Sequence, residues 1–550
     1  MHRRTFLQAA AFVPALAQLE PRPIPTYRVV TKFTPGARPG WRFPDGTVIA
    51  ETVSLPMEAG NPKSLRRIET RILHYEALIG NEDFGNQYWR GYTYVWNDDQ
   101  TDAELYDAAG GTRKFAIKDA AAPNGERTQT WRFPSRAECT VCHNMAAKYV
   151  LGLTTEQTNC ASPATAPYKN QLRWFDELGL FTSPLARAVN EQAAIVDYHD
   201  SKQPLDARAR AYLQANCSHC HRKWGGGNTE FQLLSSLPME KTGIVNTPPA
   251  HGGFFLPQAA VLTPGDPLRS VLFYRMAKLG SGRMPRLGSD VVDMAGVQLI
   301  DDWIASLPSN GATSRAVADE RATLQQILQN PAKVDSRQLE VLMATSSGAL
   351  LLMLAIDDGR LAGESRNTVI AAGNSSTQSH VRELFEKYLP EEARPQRLGA
   401  TIQPEAILAL QGNREAGRKL FLETNGVLCK SCHKLEGLGT EVGPDLSQIA
   451  KKYDRAKILD NILNPSREID PKFKVYLAVT NEGQVFTGIL VEKTDASVSL
   501  KDQQGKVTQF KTEDIDTLAP QQQSLMPELL LREMTAEQVA DLLEYLSSMK

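Results

Sequence analysis

No charge of one sign dominates this 550-residue sequence: 61 lysines and arginines face 63 aspartates and glutamates, a formal net charge of −2. A dedicated nucleic-acid binder usually shows a basic excess, so that class is set aside. Any docking patch for a partner must be local, because the global field is weak. Long hydrophobic runs are also missing. The most apolar later stretch, Ala349 to Ile356, falls far short of the about 20 residues that span a bilayer, and it reads as a buried core helix. No Gly-x-Gly-x-x-Gly loop follows a predicted strand, and there is no nucleophile elbow. Cysteine and histidine are scarce, seven and nine in all. What remains is an ordinary globular composition, 42% hydrophobic and 23% charged, on a chain too long for one core.

The N-terminus reads as a targeting segment, residues 1–17. Arg3-Arg4 precede an apolar stretch from Phe6 to Leu16, and Ala15-Leu16-Ala17 fits a small-x-small cleavage site. The run His2-Arg3-Arg4-Thr5-Phe6-Leu7 resembles a twin-arginine signal. Export to the periplasm, or otherwise out of the bacterial cytoplasm, is the expectation.

Six of the seven cysteines fall in three copies of one pattern: Cys139-Thr-Val-Cys142-His143, Cys217-Ser-His-Cys220-His221 and Cys429-Lys-Ser-Cys432-His433. Cys-x-x-Cys-His is the attachment motif of c-type haem (heme c). Two thiols separated by two residues reach the two vinyl groups on one edge of the macrocycle, and the following histidine binds iron from below. A structural zinc site wants four ligands, usually from paired motifs, so three motifs leave one unpaired and the histidines unexplained. A thioredoxin-like dithiol needs one such pair in a βαβ setting. Disulfides suit an exported chain but do not call for the histidines. Three covalently attached haems are therefore expected, with Cys139, Cys142, Cys217, Cys220, Cys429 and Cys432 as attachment residues and His143, His221 and His433 as iron ligands.

A methionine as second axial ligand suits electron transfer. Met284-Pro285 follows the second motif and Met526-Pro527 the third. Each precedes an apolar helical face, Ile300-x-x-Trp303-Ile304 and Leu542-x-x-Tyr545-Leu546, and the methionine-to-aromatic spacing is the same in both, 303 − 284 = 545 − 526. Met284 and Met526 are the expected sixth ligands. Thr535-x-x-Gln538 reads as a capping box before the second of these helices. In Val442-Gly-Pro-Asp-Leu446, a turn carbonyl is expected to accept the His433 Nδ1 hydrogen and fix its tautomer. Four runs, Val475 to Thr480, Gln484 to Lys493, Ser497 to Lys501 and Lys506 to Phe510, read as a small sheet inserted in this last module.

The first motif differs. Trp131-Arg-Phe-Pro-Ser135 before it reads as extended, and no Met-Pro follows it. Met145 lies too near to be a sixth ligand, His199 is a candidate, and His74 and His251 lie further away in sequence. An iron left five-coordinate there would be open to small ligands or peroxide. Cys160 is the odd cysteine and reads as a buried thiol. Asp98-Asp99-x-x-Asp102 lacks the glycine and terminal glutamate of a calcium loop and reads as a solvated turn.

The expected fold class is multidomain α+β. A β-rich domain of sandwich or barrel type, 18–135, carries runs at Thr26–Phe33, Thr47–Leu55, Ile68–His74 and Tyr92–Val95. The first haem-attachment region (136–205), a cytochrome c-like module (206–310), a helical spacer (311–400) and a cytochrome c-like domain with the β insertion (401–550) follow.

These motifs carry two resemblances. Cys429-Lys-Ser-Cys-His433, Gly443-Pro-Asp-Leu446, Ile469-Asp-Pro471 and Ser524-Leu-Met-Pro-Glu528 resemble a family of bacterial haem-binding domains that often end large exported oxidoreductase-like proteins. Phe43-Pro-Asp-Gly46, Glu69-Thr-Arg71, Tyr94-Val-Trp-Asn97, the first haem motif and Arg208-Ala-Arg-Ala-Tyr212 resemble a family of exported diheme c-type cytochromes. Together they cover most of the chain except about 311–370. The resemblance implies electron transfer through covalent haems to a periplasmic or membrane acceptor, and a redox partner protein as donor, of which a quinoprotein dehydrogenase is one kind. The sequence points to a carrier rather than a self-contained catalyst. A haem enzyme with an open first site and a haem-bearing carbohydrate-binding scaffold are the alternatives.

Overall fold

The computed structural model describes residues 41–550, except 42, 44–45, 77–88, 121, 123, 162–169, 182–183, 186, 224, 226–230, 310–313, 331–333, 400–401, 424–428 and 482–484. The expected signal peptide and the run Thr26–Phe33 lie outside the described residues. The chain forms two compact units, 1–242 with 298–303, and 243–297 with 304–550.

In the first unit, β1 (Val48–Pro56), β2 (Leu65–Tyr75), β3 (Trp89–Trp96) and β4 (Ala103–Leu105) form an antiparallel sheet in sequence order. β5 (Gly111–Lys118) and β6 (Glu126–Phe133) form a separate ribbon. β5 alternates as a half-buried strand should: Phe115 and Ile117 point inward, while Lys114, Ala116 and Lys118 are exposed. Phe115, Ile117 and Phe133 of the ribbon pack on Leu55 and Ile68 of the sheet. The ribbon and the sheet thus share one apolar cluster, and a short backbone bridge between Glu58 and Lys118 links their ends. A second apolar cluster joins Trp41, Tyr75 and Trp89 to Leu172 and Phe175 of α2 (Gln171–Glu177). β6 leads into α1 (Arg136–Cys142), and α3 (Leu205–Asn216) ends at the second haem motif.

In the second unit, α4 (Val271–Ala277) precedes α5 (Met294–Ser306), of which residues 298–303 belong to the first unit. The expected spacer is a five-helix array: α6 (Arg315–Gln329), α7 (Ser336–Met343), α8 (Ser346–Asp357), α9 (Gly363–Ser375) and α10 (Ser379–Phe385). The apolar run lies in α8, and Ala349 to Met353 are all buried there. No single helix among the described residues is long and apolar enough to cross a membrane; α7 and α8 reach that length and composition only as a pair bent by 117°.

The C-terminal part packs α11 (Arg414–Glu423), α12 (Arg455–Leu463) and α13 (Ala536–Ser547) around Phe421, Ile458, Leu459, Leu542, Tyr545 and Leu546. α13 opens on the expected capping box, with Thr535 accepting from Gln538 N–H and the Gln538 side chain returning to the Thr535 backbone. The inserted sheet has five strands: β7 (Val475–Thr480), β8 (Val485–Lys493), β9 (Ser497–Lys501), β10 (Val507–Lys511) and β11 (Ile515–Pro520), in the order β10-β9-β8-β7-β11. β11 was not expected, because Asp516 and Pro520 are poor strand residues. It sits at the sheet edge, paired only to β7, where proline is tolerated.

α11 and α13 approach closely at Gly417: a Cβ there would overlap the Asp541 carbonyl. Gly417→Ala is expected to destabilise the second unit by about 1–3 kcal/mol through overpacking, read as a lowered denaturant midpoint for the C-terminal helices.

Candidate haem-attachment site

Each Cys-x-x-Cys-His motif is wound into the same turn. The backbone N–H of His143 donates to the Cys139 carbonyl at 2.9 Å, that of His221 to Cys217 at 2.9 Å, and that of His433 to Cys429 at 2.9 Å. A hydrogen bond from residue i+4 to residue i is one turn of α-helix, which puts residues i, i+3 and i+4 on one face. Both sulfurs and the imidazole of each motif therefore share a side. All seven cysteines are half-buried thiols and none is in a disulfide.

The first turn is set by its surroundings. Pro134 follows the last strand residue of β6, and Ser135 caps α1 in a full capping box with Glu138. Glu138 is buried and paired with Arg132 at 2.6 Å. The helix rests on β3: a Cβ on Gly91 would stand 2.8 Å from Cys139 Sγ, so glycine makes room for this sulfur. Arg136 lies over the Tyr92 ring, 4.8 Å from its centroid. His143 Nδ1 is 2.6 Å from the Tyr149 carbonyl. That carbonyl is presented by two consecutive left-handed residues, Lys148 (φ 58°) and Tyr149 (φ 62°), a conformation that costs a non-glycine residue about 1–2 kcal/mol.

The third turn repeats the device. His433 Nδ1 is 2.9 Å from the Pro444 carbonyl, in the Gly-Pro turn where such an acceptor was expected. With Nδ1 tied to a carbonyl, Nε2 is left as the coordinating nitrogen. Gly443 touches the ring: a Cβ there would lie 2.8 Å from His433 Cε1 and 3.1 Å from Nδ1. Burial lowers the pKa of both His143 and His433, with the carbonyl acceptors pulling the other way. The neutral imidazole so favoured is the form that binds a metal. Burial also pushes the Cys139 and Cys429 thiols up to about 11. The donor set of these two turns fits a covalent haem: two sulfurs and an oriented imidazole in each.

The second turn follows α3, where the Leu213 carbonyl accepts from the Cys217 and Ser218 N–H groups at 2.9 and 3.0 Å. His221 stacks on Phe231 with ring centroids 4.6 Å apart and planes at 6°. The structure brings the first two turns together. Cys142, His219 and Cys220 hold their sulfur and nitrogen ligand atoms all within 4.8 Å of one another.

Residues 414–504 match the family model for cytochrome c. The match begins at α11, includes the third turn with Cys429, Cys432 and His433, and runs through β9. No curated protein matches the chain. The chain thus carries a cytochrome c domain, which supports covalent haem c with its iron and haem-based electron transfer at that domain.

The expected methionines lie on loops. Met526 is half-buried in the segment between β11 and α13, where its N–H donates to Ser524 Oγ at 3.1 Å and Ser524 N–H to Ser466 Oγ at 3.2 Å. Met284 is half-buried in the second unit, its N–H bonded to the Arg275 carbonyl at 2.9 Å. His199 is exposed and lies against Tyr198, with ring centroids 4.2 Å apart. Cys160 is half-buried rather than fully buried, and stands outside the three turns. Asp98 accepts from Arg113 at 2.6 Å and from Arg66, which makes its turn an exposed ion-pair cluster. Sequence reasoning missed the Ser135–Glu138 box, although Ser-x-x-Glu is its plain signal. It also missed the Tyr149 carbonyl, which no local motif announces.

Gly443→Ala is expected to displace the His433 ring. Covalent haem by mass should be unchanged, because both sulfurs remain, while the low-spin fraction in the electron paramagnetic resonance spectrum should fall.

Proposed function

We propose that this chain is an exported multihaem c-type cytochrome that moves electrons between a donor protein and a periplasmic or membrane acceptor. The observation that carries the reading is the repeated turn: three motifs, in different structural settings, with the same 2.9 Å bond from the histidine N–H to the first cysteine carbonyl. When bound, c-type haem supplies an iron that takes up and releases one electron. Cys139/Cys142, Cys217/Cys220 and Cys429/Cys432 attach it, and His143, His221 and His433 bind it from below. Met284 and Met526 are the sixth ligands we propose for the second and third sites. Support for them comes from their Met-Pro context and from their equal spacing to Trp303 and Tyr545. Export rests on Arg3-Arg4 and the apolar stretch after it. A quinoprotein dehydrogenase as donor rests on the resemblance of the motif-bearing segments.

The test is haem stoichiometry on the mature chain from a host that matures c-type cytochromes, by the pyridine haemochrome spectrum with intact mass. Three haems per chain is the expected result. Two, or one at the C-terminal domain alone, would overturn the three-site reading. Met526→Ala should keep the full count and convert one iron from low to high spin.

A second reading concerns the first site alone. Exposure of His199, the one histidine between the first two motifs, favours an open first iron able to bind small ligands. The reduced protein should then bind carbon monoxide at one site per chain. Absence of binding at full haem loading would sink this reading and leave pure electron transfer.

A further inference from the structure

The three-site reading leaves open how the sites relate, and the first unit contains an answer for two of them. Each of the first two turns places its second cysteine against the other motif. Cys142 Sγ, Cys220 Sγ and a ring nitrogen of His219 lie mutually within 4.8 Å, and Cys220 Sγ also approaches the Val141 carbonyl at 3.5 Å. The two turns are stitched by backbone-directed side chains. Asn144 Nδ2 donates across to the His219 carbonyl at 3.2 Å. Arg222 Nη1 donates back to the Ala146 carbonyl at 3.1 Å, while its Nε holds Ser218 in its own turn at 2.6 Å. A small cavity runs along the same seam, lined from one side by Ala146 and Val150 and from the other by Gln214, Ser218 and His219.

Resting on the three-site reading, we propose that Cys142 and Cys220 hold the adjoining edges of two haems, so that the first and second sites work as one electronically coupled pair. The covalent chemistry sets the constraint. Each thiol adds across a haem vinyl group, its hydrogen going to the terminal carbon and its sulfur to the carbon next to the ring, with no net oxidation. Each sulfur is then two bonds from a conjugated macrocycle. Two sulfurs within 4.8 Å therefore limit the separation of the two ring edges to that gap plus two bonds on either side. His219 sits in the gap, in contact range of both attachment points, and acts as the packing between them. The repeated cross-links by Asn144 and Arg222 show that the closeness belongs to the backbone and not to a chance rotamer. An electron arriving at either site is shared with the other.

The experiment is circular dichroism in the Soret region on the full-length, haem-loaded chain, after intact mass has established which cysteines carry haem. Coupled chromophores give a two-signed couplet; isolated ones give single-signed bands. The expected result is a couplet in the wild type. It should be lost in C139S/C142S, lost in C217S/C220S, and retained in C429S/C432S. Asn144→Ala, which keeps every cysteine, should weaken the couplet at unchanged haem count, and it serves if either double variant fails to fold. Haem on Cys142 and Cys220 without a couplet overturns the pair and leaves the three-site reading standing. No haem on Cys142 or on Cys220 overturns the three-site reading itself. A couplet that survives in C139S/C142S but disappears in C429S/C432S overturns the assignment of its partners.

Discussion

One hydrogen bond, from a histidine backbone N–H to a cysteine carbonyl four residues earlier, is the constraint on which the candidate sites depend. It turns a sequence spacing into a shape. Without it, two thiols and an imidazole within five residues point in unrelated directions; with it, they face one way on a single turn. The rest of each setting serves to hold that turn still, and it does so differently each time. The first turn is a capped helix lying on a sheet, the second continues from the C-terminal end of a longer helix, and the third is a short turn joined to the helical core through Cys429.

The orientation of the imidazole is a second layer of the same problem. His143 and His433 both give Nδ1 to a backbone carbonyl, at 2.6 and 2.9 Å, but the carbonyl comes from different places. At His433 it comes from a Gly-Pro turn whose glycine presses against the ring. At His143 it comes from two residues in a left-handed conformation that neither lysine nor tyrosine favours. Backbone acceptors have a practical merit here. They stay in place whatever side chain is changed around them, and they leave the coordinating nitrogen free.

Much of this was legible in the sequence because the chemistry is local. Cys-x-x-Cys-His, the Thr535–Gln538 capping box, the carbonyl near Pro444 and all four expected strands of the C-terminal sheet to within a residue follow from patterns a few residues long. What escaped was either long-range or against propensity. β5 and β6 carry charge on their outer faces, and their inward residues are convincing only once Leu55 and Ile68 are known to face them. β11 contains Asp516 and Pro520. The approach of Cys142 to Cys220 joins residues 78 positions apart in sequence, and no period or motif encodes it. The expected helical spacer is built of five helices, among which α8 is buried along nearly its whole length, and a helix of that kind needs several neighbours.

Gly91 has a meaning for the architecture of the first unit. The sequence divides near residue 135 into a β-rich part and a part that carries the first two Cys-x-x-Cys-His motifs, and that division suggests a module with an appendage. Yet the strand residue with no side chain is the one that lies against Cys139, and Arg136 rests on its neighbour Tyr92. The sheet is thus the floor of the first turn. Strand β3 and helix α1 pack as one object, so the β-rich part is a structural support of the first turn and not an appendage to it.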